Sequence, residues 1–296
     1  MNEPMDFKPY QSLINKALKF YLPSGNGYAK RVRMAMEYSL LAGGKRIRPI
    51  LCLLACEAVG GKKRDALPAA CALEYIHTYS LIHDDLPALD NDDYRRGRLS
   101  CHKKFDEAIA LLAGDGLLTE AFSLLSRGTV MRKIPAQTRL AVIQEIACAA
   151  GIQGMVVGQE ADLAAEKKKV SLEFLRFIHS HKTGALIRAS LVSGGLIGGG
   201  RPEELKGLRT FGECIGLAFQ IRDDLLNIEG SARIMGKKTG TDEKKAKATY
   251  PLLMGLESSR ILGRKLLGQA EKALKIFGPK AEALQQLGAY ILSRDK

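Results

Sequence analysis

The chain of 296 residues has no tryptophan, and its 9 Tyr and 9 Phe fall mainly in apolar contexts. Proteins that bind single strands interleave aromatic stacking platforms with Lys and Arg, and that arrangement is missing here. The six cysteines (52, 56, 71, 101, 148 and 214) include no C-x-x-C pair. This removes the common zinc motifs and leaves most of them as small buried hydrophobes, as expected in a reducing cytoplasm. No run of ~18 unbroken apolar residues appears, so stable membrane insertion is not expected. The start, Met1-Asn-Glu-Pro-Met-Asp, has neither the basic end nor the apolar core of a secretion signal. Alternating β-branched runs are nearly absent, and no Asn-Gly or Asp-Gly turn joins such runs, which argues against a sheet.

Acidic residues are also in deficit: 32 Asp and Glu against 45 Lys and Arg leave a net charge of +13. An excess of this size favours an anionic partner. Because the basic residues are spread along the chain rather than set in one stripe, nucleic acid is the outsider and an anionic substrate the expected partner.

Long stretches rich in Ala, Leu, Ile, Glu and Lys, with Pro confined to their first few residues, fill the chain, at roughly 10–20, 28–41, 46–58, 68–85, 105–128, 136–163, 171–194, 202–229, 248–275 and 279–293. Each has helical periodicity or is apolar nearly all round, as a central helix in a bundle would be. Gly and Pro punctuate them at Gly43-Gly44, Gly60-Gly61 and Gly198-Gly-Gly-Arg-Pro202. With no repeat and no linker, residues 1–296 read as a single all-α domain, a helical bundle. The basic, Gly-punctuated segment 230–250 reads either as a solvated loop or as a lid over bound phosphate.

Two acidic clusters stand out, Asp84-Asp85-Leu-Pro-Ala-Leu-Asp90 and Asp223-Asp224-Leu-Leu-Asn227. His77, Ser80 and Asp84 share one helix face at i, i+3 and i+7. Pro87 then disturbs the helix and lets Asp90 swing back toward Asp84. On the second helix, Gln220, Asp223 or Asp224, and Asn227 form a polar stripe among Phe211, Ile215, Leu217 and Ile221. Buried polar groups cost several kcal/mol unless paired, so this stripe needs partners. The carboxylates of Asp84, Asp85, Asp90, Asp223 and Asp224 are hard oxygen ligands suited to Mg²⁺, which takes one or two of them plus phosphate oxygens. Facing helices of a bundle are a common place for such a site.

Cations lie close by in sequence. Arg95 and Arg96 follow the first cluster, and guanidinium forks match phosphate. Gly43-Gly44-Lys45-Arg46-Ile47-Arg48-Pro49 opens a helix whose N–H groups can join Lys45 and Arg48 around an anion. It is not a P-loop. His181-Lys182-Thr183-Gly184 puts a cation and a hydroxyl in mid-helix, and Lys237 and Lys247 lie in or beside the 230–250 segment. A His-Asp metal phosphohydrolase is disfavoured, because His77, His83, His102, His179 and His181 lack ligand spacing.

In order and spacing, these strings resemble the short-chain trans-isoprenyl diphosphate synthases, most closely the bacterial-type farnesyl diphosphate synthases. Further strings carry the likeness: Glu74-Tyr-Ile-His77, Leu112-Ala-Gly-Asp115, Gly158-Gln-Glu-Ala-Asp162, Phe219-Gln-Ile-Arg-Asp-Asp224 and Thr249-Tyr-Pro251. The resemblance implies an all-α bundle around a central cavity, usually a homodimer, with about three Mg²⁺ ions per site. It implies that Asp84 and Asp90 hold two of them and Asp223 the third. Arg95, Lys182, Lys237 and Lys247 would grip the allylic diphosphate, and Gly44, Lys45, Arg48, His77 and Arg96 the isopentenyl diphosphate. Lys182, Thr183 and Gln220 are the catalytic candidates, with Thr183 and Gln220 lining the path of the allylic cation. The departed diphosphate would take the proton.

Tyr79 lies five residues before Asp84, ~7.5 Å along a helix axis, where its ring can floor the chain pocket beside Ser80. In the resembled family an aromatic there goes with a farnesyl product. One departure is Asn227, where the second motif usually ends in Asp; Asn91 also replaces a common Asp. The rival readings are a geranylgeranyl diphosphate synthase and a catalytically impaired prenyl-diphosphate-binding subunit.

Overall fold

A computed structural model describes residues 6–24, 27–166, 168–235 and 248–293. Fourteen α-helices and one short ribbon make up its regular elements, apart from isolated turns. The helices are α1 (Lys8–Tyr21), α2 (Lys30–Leu40), α3 (Ile47–Ala58), α4 (Lys63–Asp84), α5 (Cys101–Lys104), α6 (Glu107–Ser126) and α7 (Ala136–Ala150). They continue with α8 (Met155–Ala165), α9 (Leu172–His179), α10 (Ala185–Ile197), α11 (Pro202–Met235), α12 (Tyr250–Met254), α13 (Leu256–Leu274) and α14 (Glu282–Ser293). The fold class is all-α, as the composition predicts.

Helices α3, α4 and α10 form the centre. They are apolar on almost every side, and α3 and α4 pack on one another, α10 on both, and α6 over α4. Leu51, Leu53, Leu73, Ile76 and Leu117 are fully buried within one continuous hydrophobic cluster. Around this centre α11 lies against α10 and α13. Local chemistry starts the helices where expected: Asp106 accepts from Ile109 N at 2.8 Å to cap α6, and Ser171 accepts from Phe174 N at 3.1 Å to cap α9.

The sequence periodicity misses three interruptions and one pairing. The stretch 136–163 is not one helix: it breaks at Gly151–Gly154, where a Cβ on Gly154 would lie 2.1 Å from Ala149 O. The stretch 248–275 breaks at Gly255, which has φ +85°. The stretch 171–194 is interrupted by a π turn over Ser180–Gly184. The pairing is a two-stranded ribbon, β1 (Tyr94–Arg95) with β2 (Arg98–Leu99), too short to leave a strand pattern. Helix α11 runs past the expected end to Met235. Residues 236–247, and with them Lys237, Lys247 and most of the lid reading, lie outside the described residues.

By length and hydropathy, α6 and the run Ala136–Ala165 are apolar enough to cross a membrane. In the fold α6 packs on α4 and α2, and the Gly151–Gly154 break splits the longer run.

Candidate active site

A cavity of about 410 Å³ opens between the C-terminal half of α4, helix α8 and the π turn. Arg48, His77, Tyr79, Ser80, Asp84, Lys182 and Thr183 line it. The i, i+3, i+7 face read from sequence thus meets Lys182 and Thr183 across one space. Val156, Gln159, Glu160 and Leu163 of α8 complete the opposite wall.

Helix α4 stops at Asp84, ahead of Pro87, which has no N–H to continue the ladder. The chain then doubles back, so that Asp90 N donates to Asp84 O at 2.8 Å. The two carboxylates therefore lie near one another, as the sequence reading expects. Burial pushes the Asp84 carboxyl above the usual range, Lys182 opposes that shift and Asp90 adds to it. A partly desolvated carboxylate repelled by a neighbour and attracted by an ammonium is suited to a divalent cation. Among the described residues no three His, Cys, Asp or Glu side chains converge as a protein-only cage would. The arrangement fits an ion such as Mg²⁺ that completes its shell with phosphate and water.

Asp85 lies elsewhere. It is buried and ion-paired with Arg95, whose Nε donates to Oδ1 at 2.9 Å, and Arg95 also reaches Asp92 at 3.1 Å. Grouped with the metal candidates by sequence, Asp85 does not line the cavity; it positions Arg95. Asp224 is likewise buried, accepting from Tyr250 N at 2.9 Å, and burial pushes its carboxyl up to about 7. That bond ties α11 to α12. Asp223 and Gln220 are partly exposed on α11, and Asn227 is exposed; none of the three lines the cavity.

The end of the cavity at Arg48 is strongly cationic. His77 is surrounded by Arg48, Arg96, Arg46 and Arg95, and desolvation together with these guanidiniums drives its imidazole well below the ordinary range. Burial lowers Arg48 to about 10. Arg96 bonds to Gly43 O, and a Cβ on Gly44 would lie 2.7 Å from its guanidinium carbon. Gly44, at φ +124°, leaves that space open. Arg46, by contrast, is structural. Its guanidinium is buried on Glu74 at 2.5 Å, Leu40 O at 2.7 Å and Asn15 at 3.0 Å. That buried pair sets the entry to α3, so Lys45 and Arg48 flank a fixed point.

Lys182 sits in the π turn, a form common at functional sites. It pairs with Asp162 of α8 at 2.7 Å. The turn is clamped on two sides: a Cβ on Gly158 would lie 2.1 Å from Lys182 N, and one on Gly216 of α11 would lie 2.9 Å from Gly184 Cα. Sequence reasoning gave no role to Asp162 and missed the turn. The Gly158-x-x-x-Asp162 spacing, which puts a small residue and a carboxylate on one face of α8, is the signal that was available.

The polyprenyl synthetase family profile matches residues 29–284. The chain belongs to the polyprenyl synthetase family. It is 50% identical over 270 residues to a dimethylallyltranstransferase of Fischerella ambigua, covering 91% of this chain and 78% of that one. It is 46% identical over 286 residues to a farnesyl diphosphate synthase of Micrococcus luteus, covering 97% and 94%. An Arabidopsis thaliana protein, the large subunit 1 of a heterodimeric geranylgeranyl pyrophosphate synthase, is 46% identical over 297 residues, covering 98% and 80%. The apo structure of an FPP/GFPP synthase from Zymomonas mobilis superposes with a TM-score of 0.87 at 37% identity, covering 97% of each chain. The family is one of prenyltransferases, and the all-α fold is that of the isoprenoid synthases.

Proposed function

We propose that this polyprenyl synthetase is an Mg²⁺-dependent farnesyl diphosphate synthase, joining isopentenyl diphosphate head-to-tail to dimethylallyl and then geranyl diphosphate. The observation that carries the reading is one cavity bounded by Asp84 and Lys182, by the Arg48–His77 cluster, and by the Tyr79 ring. Asp84 and Asp90, with Asp223 from α11, are the residues to hold Mg²⁺. When bound, Mg²⁺ would supply positive charge against the diphosphate that leaves the allylic carbon. Lys182 and Arg95 add fixed cations to that end, with Lys237 and Lys247 as further candidates. At the other end Gly44, Lys45, Arg48, His77 and Arg96 hold the second diphosphate; a neutral His77 offers it a hydrogen bond without adding charge.

Cations placed in advance are worth more than mobile ones as the C–O bond breaks. With Gln220 of α11 as a further candidate outside the cavity lining, Thr183 flanks the path of the allylic carbon. Its bond to the isopentenyl alkene forms as the diphosphate departs, and the proton released goes to that diphosphate. Tyr79 is 8% exposed and packs edge-on to His83 at 5.6 Å, so the pocket floor is a braced ring.

A geranylgeranyl product is the second reading, favoured by the likeness to the Arabidopsis subunit. The name of that relative and Asn227 together also support a prenyl-diphosphate-binding subunit of a heterodimer. One experiment separates all three. Pure protein is given isopentenyl and dimethylallyl diphosphates with Mg²⁺ or with EDTA, and products are sized. A farnesyl product present only with Mg²⁺ supports the proposal. A longer product points to the second reading, and no product under either condition points to the binding subunit.

We place the protein in the cytoplasm as a homodimer. The support for the dimer is a set of large apolar side chains that the fold leaves exposed, among them Leu111 and Leu112 of α6 and Leu140 of α7.

A further inference from the structure

A second cavity, of about 360 Å³, lies between α9, α10, α11 and α13. Ser180 and Gly184, the two ends of the π turn, form part of its wall. Lys182 and Thr183, between them, line the prenyl cavity instead. The same five-residue turn therefore divides the two spaces.

The second cavity holds two guanidinium groups, Arg176 and Arg188. Arg188 is poorly served by the protein. Its nearest carboxylates, on Glu145 and Glu213, both stand 3.9 Å away, beyond hydrogen-bond length. Its Nε is buried with no hydrogen-bond partner. Glu145 is instead engaged by Arg209 at 3.0 Å. Arg176 makes no ion pair among the described residues. A buried N–H left unmade costs about 1–3 kcal/mol, and more when charged. Beside one cavity, the exposed fork of Arg176 and the partly buried fork of Arg188, with the Gln269 amide and the Glu213 carboxylate also on the wall, offer N–H donors that match the oxygens of a tetrahedral anion.

We propose that this cavity is a binding site for inorganic phosphate, separate from the prenyl cavity and in contact with the reverse side of the catalytic turn. The inference does not depend on which prenyl product the enzyme makes.

The test is equilibrium binding of radiolabelled inorganic phosphate to the full-length protein, with EDTA present to withhold divalent metal from Asp84 and Asp90. The native protein is expected to bind, and Arg176→Gln and Arg188→Gln are each expected to weaken binding about tenfold or more, the loss of one charge-assisted contact. Lys182→Gln, on the other side of the turn, is expected to leave it unchanged. Absence of binding by the native protein overturns the proposal. So does binding that survives Arg176→Gln and Arg188→Gln, or binding lost through Lys182→Gln alone, which would assign the anion to the prenyl cavity. Arg176 is exposed, so its variant keeps the test decisive even where Arg188→Gln impairs folding.

Discussion

His179 shows how a single buried side chain makes stability depend on pH. Burial lowers its imidazole from 6.5 to about 4, Asp162 opposing and Lys182 adding to the shift. Between those two pH values the unfolded chain binds a proton that the folded chain refuses, so stability rises with pH across that window. At neutral pH the stabilisation is fully present; it is lost as the solution is acidified from about 6.5 to about 4. Urea unfolding of the native protein at a series of pH values should show His179 removing up to about 3 kcal/mol over that interval. His179→Gln should flatten that part of the curve. Tyr79 makes a prediction about product rather than stability. Tyr79→Ala opens the pocket floor and should shift the product distribution beyond farnesyl; an unchanged product would sink the role given to the ring. At the metal end, Asp84→Asn should lower kcat/KM by about 10²–10³, the usual loss when a preorganised charge contact is removed, measured at saturating Mg²⁺.

At the scale of elements, the helices were legible because apolar periodicity reports burial of a face, and most faces here are buried. The interruptions were not legible, because each depends on a contact distant in sequence. Gly158 looks like any helical glycine until the backbone of Lys182 is found where its Cβ would be. Gly158→Ala should therefore destabilise by about 1–3 kcal/mol through overpacking, despite a gain in helix propensity of up to ~1 kcal/mol. Chemical unfolding measures it, and a variant as stable as the native protein would refute the clamp. The acidic motif was legible in outline. Its spacing predicted that Asp90 returns toward Asp84, and the 2.8 Å backbone bond agrees. What spacing could not separate was Asp84 from Asp85, or Asp223 from Asp224. Adjacent residues on a helix point about 100° apart, so Asp85 and Asp224 turn away from their neighbours Asp84 and Asp223. Arg95 and the Tyr250 amide receive those two.

For the whole molecule, the net charge of +13 is not concentrated in the two cavities, where Arg48, Lys182, Arg176 and Arg188 stand beside Asp84, Glu160 and Glu213. The uncovered leucines of α6 and α7 predict assembly. Leu112→Glu with Leu140→Glu should turn a sedimenting dimer into a monomer while leaving helical circular dichroism intact; a native protein that is already monomeric would refute the surface. The π turn carries a consequence beyond its own five residues. A π turn holds one residue more than a regular helix, so a lineage that lost that residue would rotate everything downstream by about 100°. Helix α10 touches α3, α4, α7 and α11, and no small repair restores four contacts at once. Descendants of this chain can change the residues in the turn, but not their number, without remaking the bundle around them.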